Sequence, residues 1–358
     1  MWQNIIRPTL LVSQSRVRQN IRRMVEKAGR ENVKLRPHFK THQSVRVGEW
    51  FREAGISHIT VSSVEMAEYF AEAGWKDITI AFLLNPREIP SINRLGQITR
   101  PGILVEDKGV IRQLERQLEC PVQAWLKVDA GYGRTGIPWQ QKEEVLERIR
   151  QIEAGGKLEF AGLLSHFGNT YRACHAGEVE AIFRESLKRM ENLKLLLEER
   201  LNRLVPLSIG DTPGCSICNN FQPAEEIRPG NFVYYDVMQM QIGSCSEEDI
   251  AVAVAAPVVA LYPQRETVVV HAGAVHLSKE SVKSSGREIF GLATFPSESG
   301  WKSGEGKYPV VGLSQEHGII HMPREEMKKL KPGDLLCILP VHSCLTANLM
   351  KERTVIIQ

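Results

Sequence analysis

Strand-like and helix-like patterns alternate through most of this chain, and that alternation limits its possible folds more than any other feature. Short apolar runs at Val33–Phe39, His58–Ser62, Asp77–Leu83, Gly102–Val105, Val122–Val128, Leu158–Leu164, Val205–Ile209 and Asn231–Tyr235 read as strands. Amphipathic stretches separate them, among them Val64–Ala73, Gly109–Leu118, Gln141–Ile152 and Glu178–Leu201, and a helix over Ser13–Gly29 precedes the first. Strands alternating with helices imply a parallel sheet, and eight such units match a closed (β/α)8 barrel of the TIM type. An open doubly wound sheet is the alternative that periodicity leaves standing. After Gln241 helical signals become scarce. Val252–Leu261, Thr267–His271, Val310–Leu313, Gly318–His321, Leu335–Leu339 and Arg353–Ile357 read as short strands punctuated by Gly and Pro. The expected organisation is therefore an α/β chain with a barrel over 11–241 and a mainly antiparallel β domain over 242–358, which residues 1–10 could join. Ser297–Lys307, carrying Trp301, is expected as a long loop.

Composition narrows the function classes. A formal net charge of +3 over 358 residues, with no basic block, gives no reason to expect a nucleic-acid partner. No apolar run is long enough to span a bilayer, and the start M-W-Q-N-I-I-R-P lacks the apolar core of a signal peptide. Seven irregularly spaced cysteines argue against a disulfide framework and for a reducing cytoplasm.

Lys34–Ser44, K-L-R-P-H-F-K-T-H-Q-S, stands out chemically. Apolar and charged residues alternate up to Pro37, so Lys40 should sit just past the carboxyl end of a strand, where barrel enzymes keep their chemistry. Lys34 and Arg36, with His38 and His42, crowd cations around it. Like charges favour the neutral amine that Schiff-base chemistry requires.

Later strands end in further polar loops. Asp129–Ile137, D-A-G-Y-G-R-T-G-I, combines glycines with Arg134. His166 follows the sixth strand with Tyr171 and His175 beyond it, groups able to stack on or bond to a planar cofactor. Ser208–Gly214, S-I-G-D-T-P-G, offers small hydroxyls and glycines where barrels often bind phosphate. Cys215 and Cys218 form one C-x-x-C with no second pair to complete a zinc site. His342 and Cys344 would point to one side of an extended chain, and an imidazole with a thiolate favours zinc.

Taken together these stretches resemble the D-threonine aldolase and D-serine dehydratase family, pyridoxal-phosphate enzymes on the alanine racemase barrel known as fold type III. R-P-H-F-K-T-H at Arg36–His42 resembles its cofactor-lysine motif. D-A-G-Y-G-R-T-G at Asp129–Gly136, S-H-F-G at Ser165–Gly168, S-I-G-D-T-P at Ser208–Pro213, I-R-P-G-N-F-V-Y-Y-D at Ile227–Asp236, E-H-G at Glu316–Gly318 and P-V-H-S-C at Pro340–Cys344 are similar to later family motifs, in order.

The resemblance implies a Schiff base between Lys40 and pyridoxal 5'-phosphate. Arg134 would face the phenolic oxygen, His166 and Tyr171 the ring, Ser208, Gly210 and Thr212 the phosphate, and Arg228 the pyridine nitrogen. His342 and Cys344 would hold zinc, as in the dehydratases, whereas the aldolases show His-x-Asp. The implied activity is a lyase reaction in D-amino acid metabolism, dehydration of a D-3-hydroxy amino acid such as D-serine to a 2-oxo acid and ammonia. The substrate is then a small molecule, and the enzyme a homodimer. D-threonine or 3-hydroxyaspartate aldolase is the nearest alternative. An amino-acid racemase, or a non-catalytic pyridoxal-phosphate carrier on the same barrel, fits less well: no racemase tyrosine can be placed, and the carriers lack a C-terminal β domain.

Overall fold

A computed structural model describes residues 2–304 and 306–358 and divides the chain into two compact units. One comprises Arg22–Lys40 and Ser44–Gly230 and is the barrel. The other comprises the N-terminal segment through Ile21, Thr41–Gln43 and Asn231–Gln358. The division falls after Gly230, earlier than the boundary at 241 expected from the sequence, and within helix Gln14–Arg30.

The barrel strands are Lys34–Leu35, His58–Val61, Asp77–Leu83, Arg100–Val105, Val122–Asp129, Leu158–Leu164, Leu207–Ile209 and Glu226–Ile227. Each is parallel to its neighbour, and Lys34–Leu35 pairs with Glu226–Ile227. The ring closes beyond Leu35, where Phe39 N–H donates to Thr60 O (2.8 Å) and Thr60 N–H to Pro37 O (2.9 Å). The first strand is interrupted because Pro37 has no N–H for the ladder on that side. This closed ring rules out the open doubly wound sheet.

Seven of the eight expected strands lie where the periodicity puts them. The eighth does not: Asn231–Tyr235 was expected as a strand, but Glu226–Ile227 fills that place and Asn231–Val233 is a 3-10 turn. Pro229-Gly230 ends the ladder. The amides of Tyr234 and Tyr235 then fold back on the Asn231 carbonyl at 3.0 and 2.7 Å.

Capping fixes where several helices begin. Ser44, Ser63, Asp107 and Asp211 each accept a backbone N–H from the first turn of Val45–Glu53, Val64–Glu72, Lys108–Gln117 and Thr212–Ile217. Just before Lys40, Phe39 is fully buried against Phe51, Phe70 and Trp75, with ring centroids 4.9–5.1 Å apart. That aromatic cluster anchors the end of the first strand.

The second unit is antiparallel, as expected. Thr267–His271, His317–His321, Tyr308–Leu313, Gly291–Thr294, Leu335–Pro340 and Val252–Tyr262 form a ring that closes by pairing of the last with the first. An N-terminal strand lies in it, but as Thr9–Ser13, largely beyond the residues 1–10 expected there. It lies antiparallel to Val252–Ala255 and parallel to Thr354–Ile357. Of the loop expected at Ser297–Lys307, Ser297 and Gly300-Trp301 form a tight two-strand turn with Trp301 buried, while position 305 lies outside the described residues. Among the described residues no helix is long and apolar enough to cross a membrane.

A buried ionic chain crosses the seam between the last and first barrel strands. Glu226 accepts Arg36 Nε–H (2.6 Å) and Ser208 Oγ–H (2.6 Å), and Ser208 Oγ in turn accepts Arg228 Nη1–H (2.5 Å). Glu226→Ala removes the buried carboxylate that Arg36 and Ser208 share. It should cost about 3–5 kcal/mol in urea unfolding, and a loss below ~1 kcal/mol would contradict the role given to this chain.

Candidate active site

The barrel unit gathers most of the expected residues at the carboxyl ends of its strands. Lys40 follows the first strand and is exposed. Two of the cations expected to crowd it are committed elsewhere. Arg36 is buried and paired with Glu226 and Asp77, and Lys34 lies near the same two carboxylates (4.0 and 3.9 Å). Those cations are neutralised at the opposite ends of the strands, so the case for Lys40 rests on its position.

Asp129 shapes the glycine loop after the fifth strand by accepting the amides of Gly131, Tyr132 and Gly133 at 2.8–2.9 Å. The loop presents Arg134, exposed, with its guanidinium 5.2 Å from the Tyr132 ring. Tyr132 meets the His166 ring edge-on at 5.7 Å. Gly168 permits this approach, since a Cβ there would come within 2.5 Å of the Tyr132 ring and 2.9 Å of His166 Nε2.

His166 Nδ1 lies 2.7 Å from the Gly210 carbonyl, which can only accept, so Nδ1 carries the proton. Burial holds the imidazole well below its ordinary range. The Gly210 bond opposes this, while the charges of Lys40, Lys127 and Arg134 add to it. His166 is thus a neutral ring with a bare Nε2, fit to lie against a planar group.

The loop after the seventh strand is only partly what the sequence suggested. Gly210, at φ +154°, is required, because a Cβ would come within 2.6 Å of Arg228 N. Thr212 N–H donates to Tyr171 Oη (3.1 Å), joining the two residues expected at ring and phosphate. Ser208 is fully buried with its hydroxyl committed to Glu226 and Arg228. Asp211 turns inward, accepting Thr170 Oγ1–H (2.8 Å) and Gly214 N–H (2.5 Å), and burial pushes its carboxyl up to about 7. Arg228 is buried, bonds Ser165 O (3.1 Å) as well as Ser208, and is lowered to about 10, chiefly by burial.

His175 instead caps helix Ala176–Leu201 through Nδ1. The Cys215 thiol is driven up by burial and that of Cys218 to about 12, the wrong direction for thiolate ligands.

Sequence reasoning passed over Tyr132 and Lys127. Lys127 is buried in the fifth strand with its pKa lowered to about 7, first by burial and then by the charges of Arg228 and Arg134. The available signal was a lysine inside the apolar run A-W-L-K-V.

In the second unit, His342 is the last extended residue after strand Leu335–Pro340, and Cys344 lies in the first turn of helix Ser343–Met350. The extended-chain geometry expected for the pair is therefore replaced by a strand-to-helix turn, which still lets their side chains hydrogen-bond. Asp236 pins that turn by accepting Ser343 N–H (2.9 Å), Ser343 Oγ–H (3.2 Å) and Asn231 Nδ2–H (2.6 Å). Cys344 Sγ is 3.1 Å from Thr41 Oγ1 and 3.5 Å from Asn231 Nδ2. Burial opposes a charge on His342, but Cys344, Asp236 and Glu280 outweigh it and lift the imidazole to about 9.

Both donor sets fit the groups the sequence resemblance implies. In the barrel, an exposed primary amine, a guanidinium and a neutral imidazole suit a planar, anionic aldehyde. In the second unit, His342 Nδ1 is buried with no hydrogen-bond partner, and nitrogen with sulfur suits a borderline-soft cation.

The fold and the barrel residues define an enzyme on an alanine-racemase-type barrel. The family described as "Alanine racemase, N-terminal domain" matches residues 12–237, and the chain belongs to it; a "Putative serine dehydratase domain" matches residues 251–356. The chain is 29% identical to a D-serine dehydratase of Dictyostelium discoideum, covering 99% of this chain and 94% of that one. It is 28% identical to the D-threo-3-hydroxyaspartate dehydratase of Delftia sp. (strain HT23), covering 95% and 91%. The solved structure of the Delftia enzyme superposes with a TM-score of 0.88 at 24% identity, covering 98% of this chain and 96% of that one. A cysteine-to-alanine mutant of the same enzyme, in a metal-free form, gives 0.87 at 24% identity over 96% and 92%.

Unfolded, His166 takes up a proton as pH falls through 6.5; folded, it does not. The unfolded state then binds more protons, so this residue makes the protein less stable as pH falls below 6.5. In cofactor-free protein, His166→Asn should flatten the fall in unfolding free energy between about pH 7 and 5. Superimposable profiles would contradict the neutral assignment.

Proposed function

We propose that the protein is a pyridoxal-phosphate- and metal-dependent dehydratase, a carbon–oxygen lyase that converts a D-3-hydroxy amino acid such as D-serine to a 2-oxo acid and ammonia. The carrying observation is His342 with Cys344, a buried imidazole nitrogen without a partner beside a thiol, on a chain whose full-length relatives are dehydratases.

Lys40 would hold the cofactor aldehyde, Arg134 its phenolic oxygen, His166 and Tyr171 its ring, and Gly210 and Thr212 its phosphate. Ser208 and Arg228 support that loop from beneath through their bonds to Glu226 and Ser165. When bound, the cofactor supplies an electron sink for negative charge developing at the substrate Cα. Lys40 Nζ, once released, would be the base that accepts the Cα proton. His166 stays uncharged because burial disfavours its protonated form, while the Gly210 carbonyl orients its Nδ1–H, so it adds no charge against the cofactor.

His342 and Cys344 would hold the metal, which supplies Lewis acidity to a leaving hydroxyl. We assign zinc as that ion, since thiolate with imidazole favours it over harder ions. Thr41 and Asn231 orient the sulfur, and Asp236 fixes the turn that carries it. The water lost on elimination is returned when the enamine product hydrolyses, so D-serine gives pyruvate and ammonia with no other reactant. A reducing cytoplasm agrees with seven cysteines that form no disulfide, and the family resemblance carries the expectation of a homodimer.

Cys344→Ala should lose bound zinc and lower D-serine deamination at least about a hundredfold, while retaining cofactor absorbance. Metal content, absorbance and pyruvate release measured on one preparation check this. Unchanged pyruvate release would refute the metal assignment.

A further inference from the structure

Outside the residues already assigned, two groups invite a role. His271, His276 and Glu316 bring three donor atoms within 4.8 Å of one another. Gly273 N–H, however, donates to His276 Nδ1 (3.2 Å), which places the proton on Nε2, the nitrogen facing Glu316 at 3.8 Å. A metal-bound imidazole needs the reverse arrangement, with its outer nitrogen donating to an acceptor. The trio therefore carries no metal site.

Arg172 carries more. It ends the 3-10 turn Gly168–Arg172 that follows His166, and it is exposed. Its guanidinium lies 5.7 Å from the Tyr132 ring, which Arg134 also approaches at 5.2 Å and which abuts His166. Two arginines thus share one aromatic platform beside the ring expected to lie against the cofactor. Among the described residues no carboxylate pairs with Arg172. The nearby candidates are committed elsewhere: Asp129 to the amides of Gly131, Tyr132 and Gly133, and Asp211 to Thr170 and Gly214. With Arg134 directed to the cofactor's phenolic oxygen, one guanidinium at this wall is left for an anion. The proposed substrate brings one, its α-carboxylate.

We propose that Arg172, held against Tyr132, receives the α-carboxylate of the amino-acid substrate. This rests on the dehydratase reading above and adds the group that recognises an amino acid as such. Guanidinium pairs with a carboxylate through two parallel N–H bonds, and a lysine supplies charge without that fork.

The test uses holoenzyme and reads the cofactor absorbance on titration with D-alanine, which has no β-hydroxyl to eliminate, and with ethylamine, the same amine without the carboxylate. Arg172→Met should weaken D-alanine binding about ten- to hundredfold and leave ethylamine unchanged, with Arg172→Lys in between. For D-serine the KM should rise far more than kcat falls. A change for D-alanine below about twofold, an equal loss for ethylamine, or weakened retention of the cofactor itself would each overturn the assignment. If wild-type holoenzyme responds to D-alanine but forms no pyruvate from D-serine, the dehydratase reading fails and the carboxylate assignment stands. If it responds to neither, both fall.

Discussion

Glu226 bridges Arg36 of the first barrel strand and Ser208 of the seventh, and Ser208 passes the contact on to Arg228. Everything at the mouth depends on this buried chain. A barrel of eight strands has one seam where the last meets the first, and here both seam strands are only two residues long. Backbone pairing that short cannot set the register alone. Arg36, fixed also by Asp77 in the third strand, ties four strands together below the site. A buried ion pair adds little net stability but is costly to break, so it acts mainly to specify one arrangement. Above it, the Phe39 aromatic cluster fixes the end of the strand from which Lys40 emerges.

The mouth separates charge in an ordered way. Its carboxylates point inward and organise loops: Asp129 gathers three amides, and Asp211 caps a helix. Its cations, Lys40, Arg134 and Arg172, are left exposed. Among these groups His166 is kept neutral chiefly by burial, with the charges of Lys40, Lys127 and Arg134 adding to it. Asp211, whose carboxyl burial lifts to about 7, is held by Thr170 and Gly214. The second unit uses the same device for a different purpose. There Asp236 spends its oxygens on backbone and side-chain donors, fixing the turn that carries His342 and Cys344.

Most of the barrel was legible because fully buried parallel strands and amphipathic helices leave distinct periodicities. The eighth strand was misplaced because N-F-V-Y-Y has high β propensity, yet Asn231 draws the following amides into a turn. The crowding of cations near Lys40 was misread because partners from distant sequence, Asp77 and Glu226, cannot be seen from the local run. Residues that touch a ligand kept motif-like signatures. Those that hold them in place, such as Ser208 and Asp236, are ordinary residues whose roles exist only through tertiary contacts. Lys127 and Tyr132 were hidden for the same reason, one as an alternating strand residue and the other as a loop aromatic.

Dehydration and aldol cleavage differ in which substrate bond is broken. D-serine, D-threonine and both D-3-hydroxyaspartates, supplied separately to purified holoenzyme with and without chelator, would report it directly if 2-oxo acid, ammonia, glycine and aldehyde were each measured. Dehydration predicts 2-oxo acid and ammonia in equal amounts from D-serine, abolished by chelation and restored by zinc. Glycine with an aldehyde as the main products would contradict it, because the carbon–carbon bond would then be the one this protein breaks.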